Sequence, residues 1–212
     1  MPPSEAGAPA PHVLLFTGHM IDREDRAEPR FPAGEEATAR AAIREAVERE
    51  QARVGAAPMR GIAGGANGGD ILFHEVCRAL GIPTEVYLAL PREQYLAKSV
   101  AFAGDEWVDR FDRLLAERPV HLFSEAEAPP GERGGDAGYT VWQRANLWML
   151  REALAAGGAH TTLIALWNGS KGDGPGGTED LVRQARRRGA RTVILDTNAL
   201  FDLPEQGEGQ PG

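Results

Sequence analysis

The sequence predicts an α/β fold: one open, mostly parallel sheet of about six strands with helices on both faces. Three observations predict it. Short apolar runs bounded by turn residues alternate with longer amphipathic stretches along the chain, the order of successive βαβ units. Most of those runs are continuously apolar rather than alternating, as in parallel strands covered on both sides. Two glycine-rich turns stand where an apolar run gives way to a helix, and parallel strands joined through helices make right-handed crossovers of that kind.

The first strand is expected at residues 13–17, Val13-Leu14-Leu15-Phe16-Thr17. A helix over 35–54 follows, with Ile43, Val47 and Val54 along one side, acidic residues in its first turn and Gly55 to cap its end. The second strand is expected at 60–63. The helix over 70–80 repeats Leu72, Val76 and Leu80 at a spacing of four, with Asp70 as N-cap and Gly81 as C-cap. A strand over 84–88 precedes a helix over 105–117 that buries Trp107, Phe111 and Leu114 and is stopped by Pro119. A strand over 120–123 leads into the Gly-, Pro- and Glu-rich stretch 126–138, read as a solvated connection. A helix over 140–154, a strand over 161–167, a helix over 177–188 and a strand over 192–196 complete the set.

The chain has 212 residues, and residues 12–203 are expected to form one domain between disordered tails at 1–11 and 204–212. Its 42% hydrophobic and 25% charged content is that of a soluble globular protein. The net charge of −8 argues against sequence-blind DNA or RNA binding, which draws on clustered Lys and Arg. It leaves room for a small anion held by backbone N–H groups. Cys77 is the only cysteine, so no intrachain disulfide forms. His12, His74, His121 and His160 have no metal-ligand spacing with one another or with Cys77, and no metal or other cofactor is expected. The 13–16 apolar run is too short for a signal peptide or a membrane span. A cytoplasmic location follows as the expectation, and four Trp in a small domain leave room for a homodimer.

In open α/β sheets ligands bind outside the carboxyl ends of the strands. Three loops leave strands there with binding-type residues: Thr17-Gly18-His19, then Gly64-Gly65-Ala66-Asn67-Gly68-Gly69-Asp70, then Asn168 and the long turn through Lys171 and Gly176 to Gly177-Thr178. Glycine lets a backbone approach a ligand closely, and a helix starting there aims N–H groups and partial positive charge at it. Neither turn ends in the Gly-Lys-Ser/Thr of a P-loop. Tyr139, Gln143 and Asn146 share one face of the 140–154 helix, either to read a base or sugar or as a solvated stripe. Asp70 has two readings, a cap and a partner for a ribose hydroxyl. His19 has three, a phosphate ligand, an acid or a structural residue. Lys171 is the cation placed to close on a phosphate; Lys98 and Ser99 are weaker candidates, and Arg144 is read as facing water.

The first glycine turn, followed by an apolar helix ending Ala79-Leu80-Gly81, resembles a signature of the core of DNA-processing protein A. Pro175-Gly176-Gly177-Thr178-Glu179-Asp180 resembles, more loosely, the Pro-Gly-Gly-x-Gly-Thr-x-x-Glu motif of the LOG phosphoribohydrolases. Both belong to the SLOG superfamily, and residues 13–195 resemble a stand-alone SLOG domain. That resemblance implies a Rossmann-like sheet that binds a nucleotide or nucleotide-derived signal. The set of Thr17-Gly18-His19, the Asp70 turn and residues 139–148 is similar to bacterial SLOG modules found near signalling or conflict-system proteins. The phosphoribohydrolase motif places its catalytic Glu three residues after the Thr, where this chain has Leu181.

Two functions are therefore expected in order. The first is a sensor module binding a nucleotide or nucleotide-derived signal. The second is cleavage of the N-glycosidic bond of a nucleoside 5′-monophosphate, with Glu179, Asp180 or Asp70 as the carboxylate.

Overall fold

The computed structural model describes residues 10–124, 139–170 and 177–203. The expected tails (apart from residues 10 and 11), the 126–138 connection, Lys171 and Gly176 lie outside the described residues.

Six strands form one sheet: β1 (His12–Gly18), β2 (Met59–Ala63), β3 (Thr84–Leu88), β4 (Val120–Leu122), β5 (Thr161–Leu166) and β6 (Arg191–Leu195). All neighbours are parallel, in the order β4-β3-β2-β1-β5-β6. The chain steps outward from β1 to β4, returns across the sheet to β5 on the other side of β1, and ends at β6. The strand order thus reverses at β1 and β5, where Gly18 pairs with Leu166. Loops leaving the two strands diverge at that point and open a crevice beyond their carboxyl ends.

The continuous apolar runs have the cause anticipated from the sequence: β1 and β5 are interior strands, and Val13 to Phe16 and Leu163 to Leu166 are buried. Helices α1 (Glu36–Val54) and α2 (Gly69–Ala79) pack on each other on one face; α5 (Val141–Ala153) and α6 (Thr178–Arg187) pack on each other on the opposite one. Phe16 stacks on Phe73 of α2 with ring centroids 4.9 Å apart. From α4 (Asp105–Glu117), Arg110 grips Glu75 with two hydrogen bonds of 2.8 and 2.9 Å and reaches Glu36 of α1 at 3.0 Å.

Several boundaries differ from expectation for local reasons. Asp70 is not the N-cap of α2. Gly68, in the left-handed region at φ 76°, occupies that position, and Asp70 is the second helical residue, its carboxyl folded back on the turn. Val54 is only half-buried, and Ala39, Ala46 and Glu50 share the inner face of α1 with Ile43 and Val47. Two helices were not anticipated: α3 (Arg92–Ser99), which begins after Pro91, and the single turn α7 (Thr197–Leu200), capped by Asp196. Thr140 caps α5 in a reciprocal box with Gln143.

At the opposite rim, where the strands begin, Glu50 of α1 is 2% exposed. It accepts hydrogen bonds from Arg53, Thr162 and Arg191, each at 2.8 Å. Burial by itself raises its carboxyl; those bonds and the Arg53 charge outweigh it and hold the group below its usual range.

Candidate functional site

A cleft of about 500 Å³ lies over the carboxyl ends of β1, β2 and β3 and under the first turns of α5. Its walls come from five places along the chain. Phe16, Thr17, Gly18, His19, Met20 and Arg30 belong to β1 and the loop after it; Gly64, Ala66 and Asp70 to the first glycine turn; Tyr87, Ala89, Tyr95, Lys98 and Ser99 to β3 and α3; Thr140, Trp142, Gln143, Ala145, Asn146 and Met149 to α5; Gly177 and Thr178 to the start of α6. The three loops singled out from sequence do meet on one rim.

The first glycine turn is not an open cradle of amides. Gly65 N–H donates to the Tyr95 hydroxyl at 3.0 Å, Ala66 N–H to Asp70 Oδ2 at 3.2 Å, and Asn67 N–H to Ser99 carbonyl at 2.9 Å. Gly69 N–H donates to His19 carbonyl at 3.1 Å and Ile71 N–H to Ala66 carbonyl at 3.3 Å. The side chain of Asn67, wholly buried, does similar work. Its Oδ1 accepts from Ile21 N–H at 2.9 Å, and its Nδ2 donates to the carbonyls of Ser99 and Val100 at 3.0 and 3.3 Å. The turn is therefore a rivet between the β1 loop and α3, and Gly65, Asn67 and Gly68 lie behind the cleft wall rather than in it.

Asp70 is the only carboxylate among the described residues that line the cleft. Burial pushes its carboxyl up to about 7, against the opposing hydrogen bond from Ala66 N–H. Burial, and then the neighbouring Asp70 charge, hold the Tyr95 phenol well above its ordinary range, so it keeps its proton. Beneath them His74 bridges Thr84 and Gly64: its Nδ1 lies 2.8 Å from Thr84 Oγ1 and its Nε2 2.9 Å from the Gly64 carbonyl. A carbonyl only accepts, so Nε2 carries the proton and Nδ1 accepts from the Thr84 hydroxyl.

His19 stands at the other end of the cleft. Its Nε2 is 3.1 Å from Asn168 Oδ1 and 3.3 Å from Asn168 N. Burial first, then the Arg30 charge, lower its pKa to about 4, so the imidazole is neutral at pH 7. Asn168 sits behind His19 and outside the lining; its Oδ1 also accepts from the Ser170 backbone N–H and hydroxyl. Arg30 reaches this end from the β1 loop, and Gly177 and Thr178 bring the start of α6 to it, where no side chain among the described residues caps the helix.

The remaining sequence candidates divide. Gln143 and Asn146 line the cleft, but Gln143 Oε1 accepts the Thr140 N–H of the helix cap at 2.8 Å. Tyr139 packs on the core, and its carbonyl takes a 3.0 Å bond from Arg144, which therefore does not face water alone. Glu179 and Asp180 are not in the lining; Asp180 is buried, with its oxygens engaged by Arg183 and Gln184. The weaker candidates Lys98 and Ser99 do line the cleft. Among the residues sequence reasoning missed are Arg30, Tyr87, Tyr95, Trp142 and Met149. For Tyr95 a local signal exists: Pro91 followed by Tyr95 and Ser99 at a spacing of four marks a short helix with both on one face.

Among the described residues no group of His, Cys, Asp and Glu could hold a metal ion, and no helix is long and apolar enough to cross a membrane. No family model and no curated protein matches the chain.

Proposed function

We propose that this chain is a binding module for a nucleotide or nucleotide-derived signal, seated in the cleft over β1, β2 and β3, and that it is a cytoplasmic member of the SLOG superfamily. One observation carries the reading. The crevice at the strand-order reversal widens into a cavity of about 500 Å³, in the size range of small-molecule sites. It joins an end made by Arg30 and the start of α6, which no side chain among the described residues caps, to an aromatic end, made by Tyr87, Tyr95 and Trp142. Isothermal titration of the purified chain against a panel of nucleoside mono-, di- and triphosphates, cyclic nucleotides and ADP-ribose-type compounds tests it. Saturable heat with at least one member is expected; a folded sample that binds none would overturn the proposal.

A second reading, hydrolysis of a nucleoside 5′-monophosphate to free base and ribose 5-phosphate, is favoured by one feature. Asp70 is a carboxylate in the lining whose pKa lies near neutrality, as acid–base chemistry at pH 7 requires. If the chain turns over, Asp70 is the group to remove, ahead of Glu179 and Asp180. Chromatography of AMP incubated with the chain and with Asp70→Asn decides between binding alone and cleavage.

A further inference from the structure

The lining changes character along the sheet. At the β3 end it is mostly aromatic and apolar, although Lys98 and Ser99 also line the cleft from α3. Tyr95 and Trp142 pack at a tilt of 57° with ring centroids 5.3 Å apart, and Tyr87, Ala89, Ala145 and Met149 complete the wall. Tyr87 and Tyr95 are buried, while Trp142 is half-buried, so the indole is the ring of this group with surface left to cover. At the middle, over β2, stands Asp70 beside Gly64. At the β1 and β5 end stand the neutral His19, Arg30 and the first residues of α6. After burial, the charges of Arg30 and Arg26 oppose protonation of His19 there. Neighbouring strands are about 4.8 Å apart, which separates the aromatic wall from the β1–β5 crevice by about 12 Å. That is comparable to the extended length of a nucleoside monophosphate.

We infer that the cleft takes its ligand in a single direction: a planar heterocycle against Trp142 at the β3 end, the sugar at Asp70 over β2, and the anionic group between Arg30 and the start of α6 at the β1–β5 end. This rests on the nucleotide-binding reading above and adds polarity to it. The reverse direction would put a phosphate against the wall of Tyr87, Tyr95 and Trp142 and away from Arg30. In the first glycine turn the N–H groups of Gly65, Ala66, Asn67 and Gly69 are already bonded within the protein and are not offered to a phosphate.

The test titrates the full chain with AMP, adenosine and ribose 5-phosphate, following heat and tryptophan emission. Trp142 is the only tryptophan among the described residues lining the cleft. AMP and adenosine are expected to quench emission, and ribose 5-phosphate to bind without quenching. Trp142→Leu is expected to weaken AMP and adenosine about tenfold, the size of a lost base–aromatic stack, and to leave ribose 5-phosphate unchanged. Trp142→Phe keeps a ring, so it is expected to retain affinity and lose the quench, which separates stacking from a folding defect. Arg30→Ala is expected to weaken AMP and ribose 5-phosphate and spare adenosine. Binding of AMP with the two substitutions exchanging their effects, or with both acting alike on all three probes, would overturn the orientation while leaving nucleotide binding intact. Absence of binding by any probe to the folded parent chain would remove both.

Discussion

The carboxyl of Asp70 occupies the space that a side chain at Gly64 would need: a Cβ there would stand 2.5 Å from Asp70 Oδ2 and 2.9 Å from the Tyr95 hydroxyl oxygen. Gly64→Ala is therefore expected to push the carboxyl off Ala66 N–H and to strain the turn. The cost is about 1–3 kcal/mol, or a fall of about 3–10 °C in melting temperature for a chain of this size. Thermal denaturation measures it, and an unchanged melting temperature would show that the carboxyl has another seat.

Asp70 also sets a pH dependence. An unfolded chain gives up this proton near 3.8, whereas the folded chain holds it until about 7. Folding therefore loses stability as pH rises through that window, up to a limit of about 4 kcal/mol. Asp70→Asn keeps an acceptor for Ala66 N–H and removes the charge. It is expected to be more stable than the parent at pH 8 and equal to it near pH 4, read by chemical denaturation at both values.

The buried histidines act in the other direction. His19 and His74 are each lowered to about 4, in both cases by burial first. The unfolded chain takes up those protons near 6.5, so stability is lost as pH falls from about 6.5 to about 4, by at most about 3 kcal/mol per histidine. His74→Gln is expected to make the acid limb of the stability curve shallower, in denaturant titrations between pH 4 and 7.

Removing Asn67 should open the cleft from behind. Asn67→Ala takes the acceptor of the buried Ile21 N–H and one of the two donors to the Val100 carbonyl, which keeps Ala103 N–H. The expected loss is about 2–4 kcal/mol, with faster hydrogen exchange at Ile21 as the local signature and weaker nucleotide binding as the functional one.

Glu50→Ala separates stability from binding. It removes the acceptor shared by Arg53, Thr162 and Arg191 at the far rim, at an expected cost of about 2 kcal/mol. Because the cleft is at the opposite ends of the strands, ligand affinity below the melting transition is expected to stay as in the parent. A parallel loss of affinity would show that the two rims are coupled.

The sheet was legible because its signals are local. Most strands are runs of largely apolar residues between turn residues, and each end of the expected ranges lies within one residue of the observed one. Helix α3 is faint in the sequence because eight residues carry little periodicity: apart from Pro91 and the Tyr95–Ser99 spacing, Leu96 and Tyr95 alone do not make a stripe. Asp70 was misplaced for a subtler reason. An Asp before an apolar helix has the pattern of a cap, and only the fold reveals that Gly68 takes the capping backbone geometry while the carboxyl turns back to Ala66. The meeting of the three loops on one rim followed from parallel topology. Which amides in them remain available did not, since the partners of Gly65 and Asn67 lie about thirty residues away, at Tyr95, Ser99 and Val100.

The internal bonding of the first glycine turn bears on how any ligand is received. A receptor whose floor is already ordered gives up little conformational entropy on association. Ligands of this chain are accordingly expected to differ in residence time far more than in the speed of their arrival.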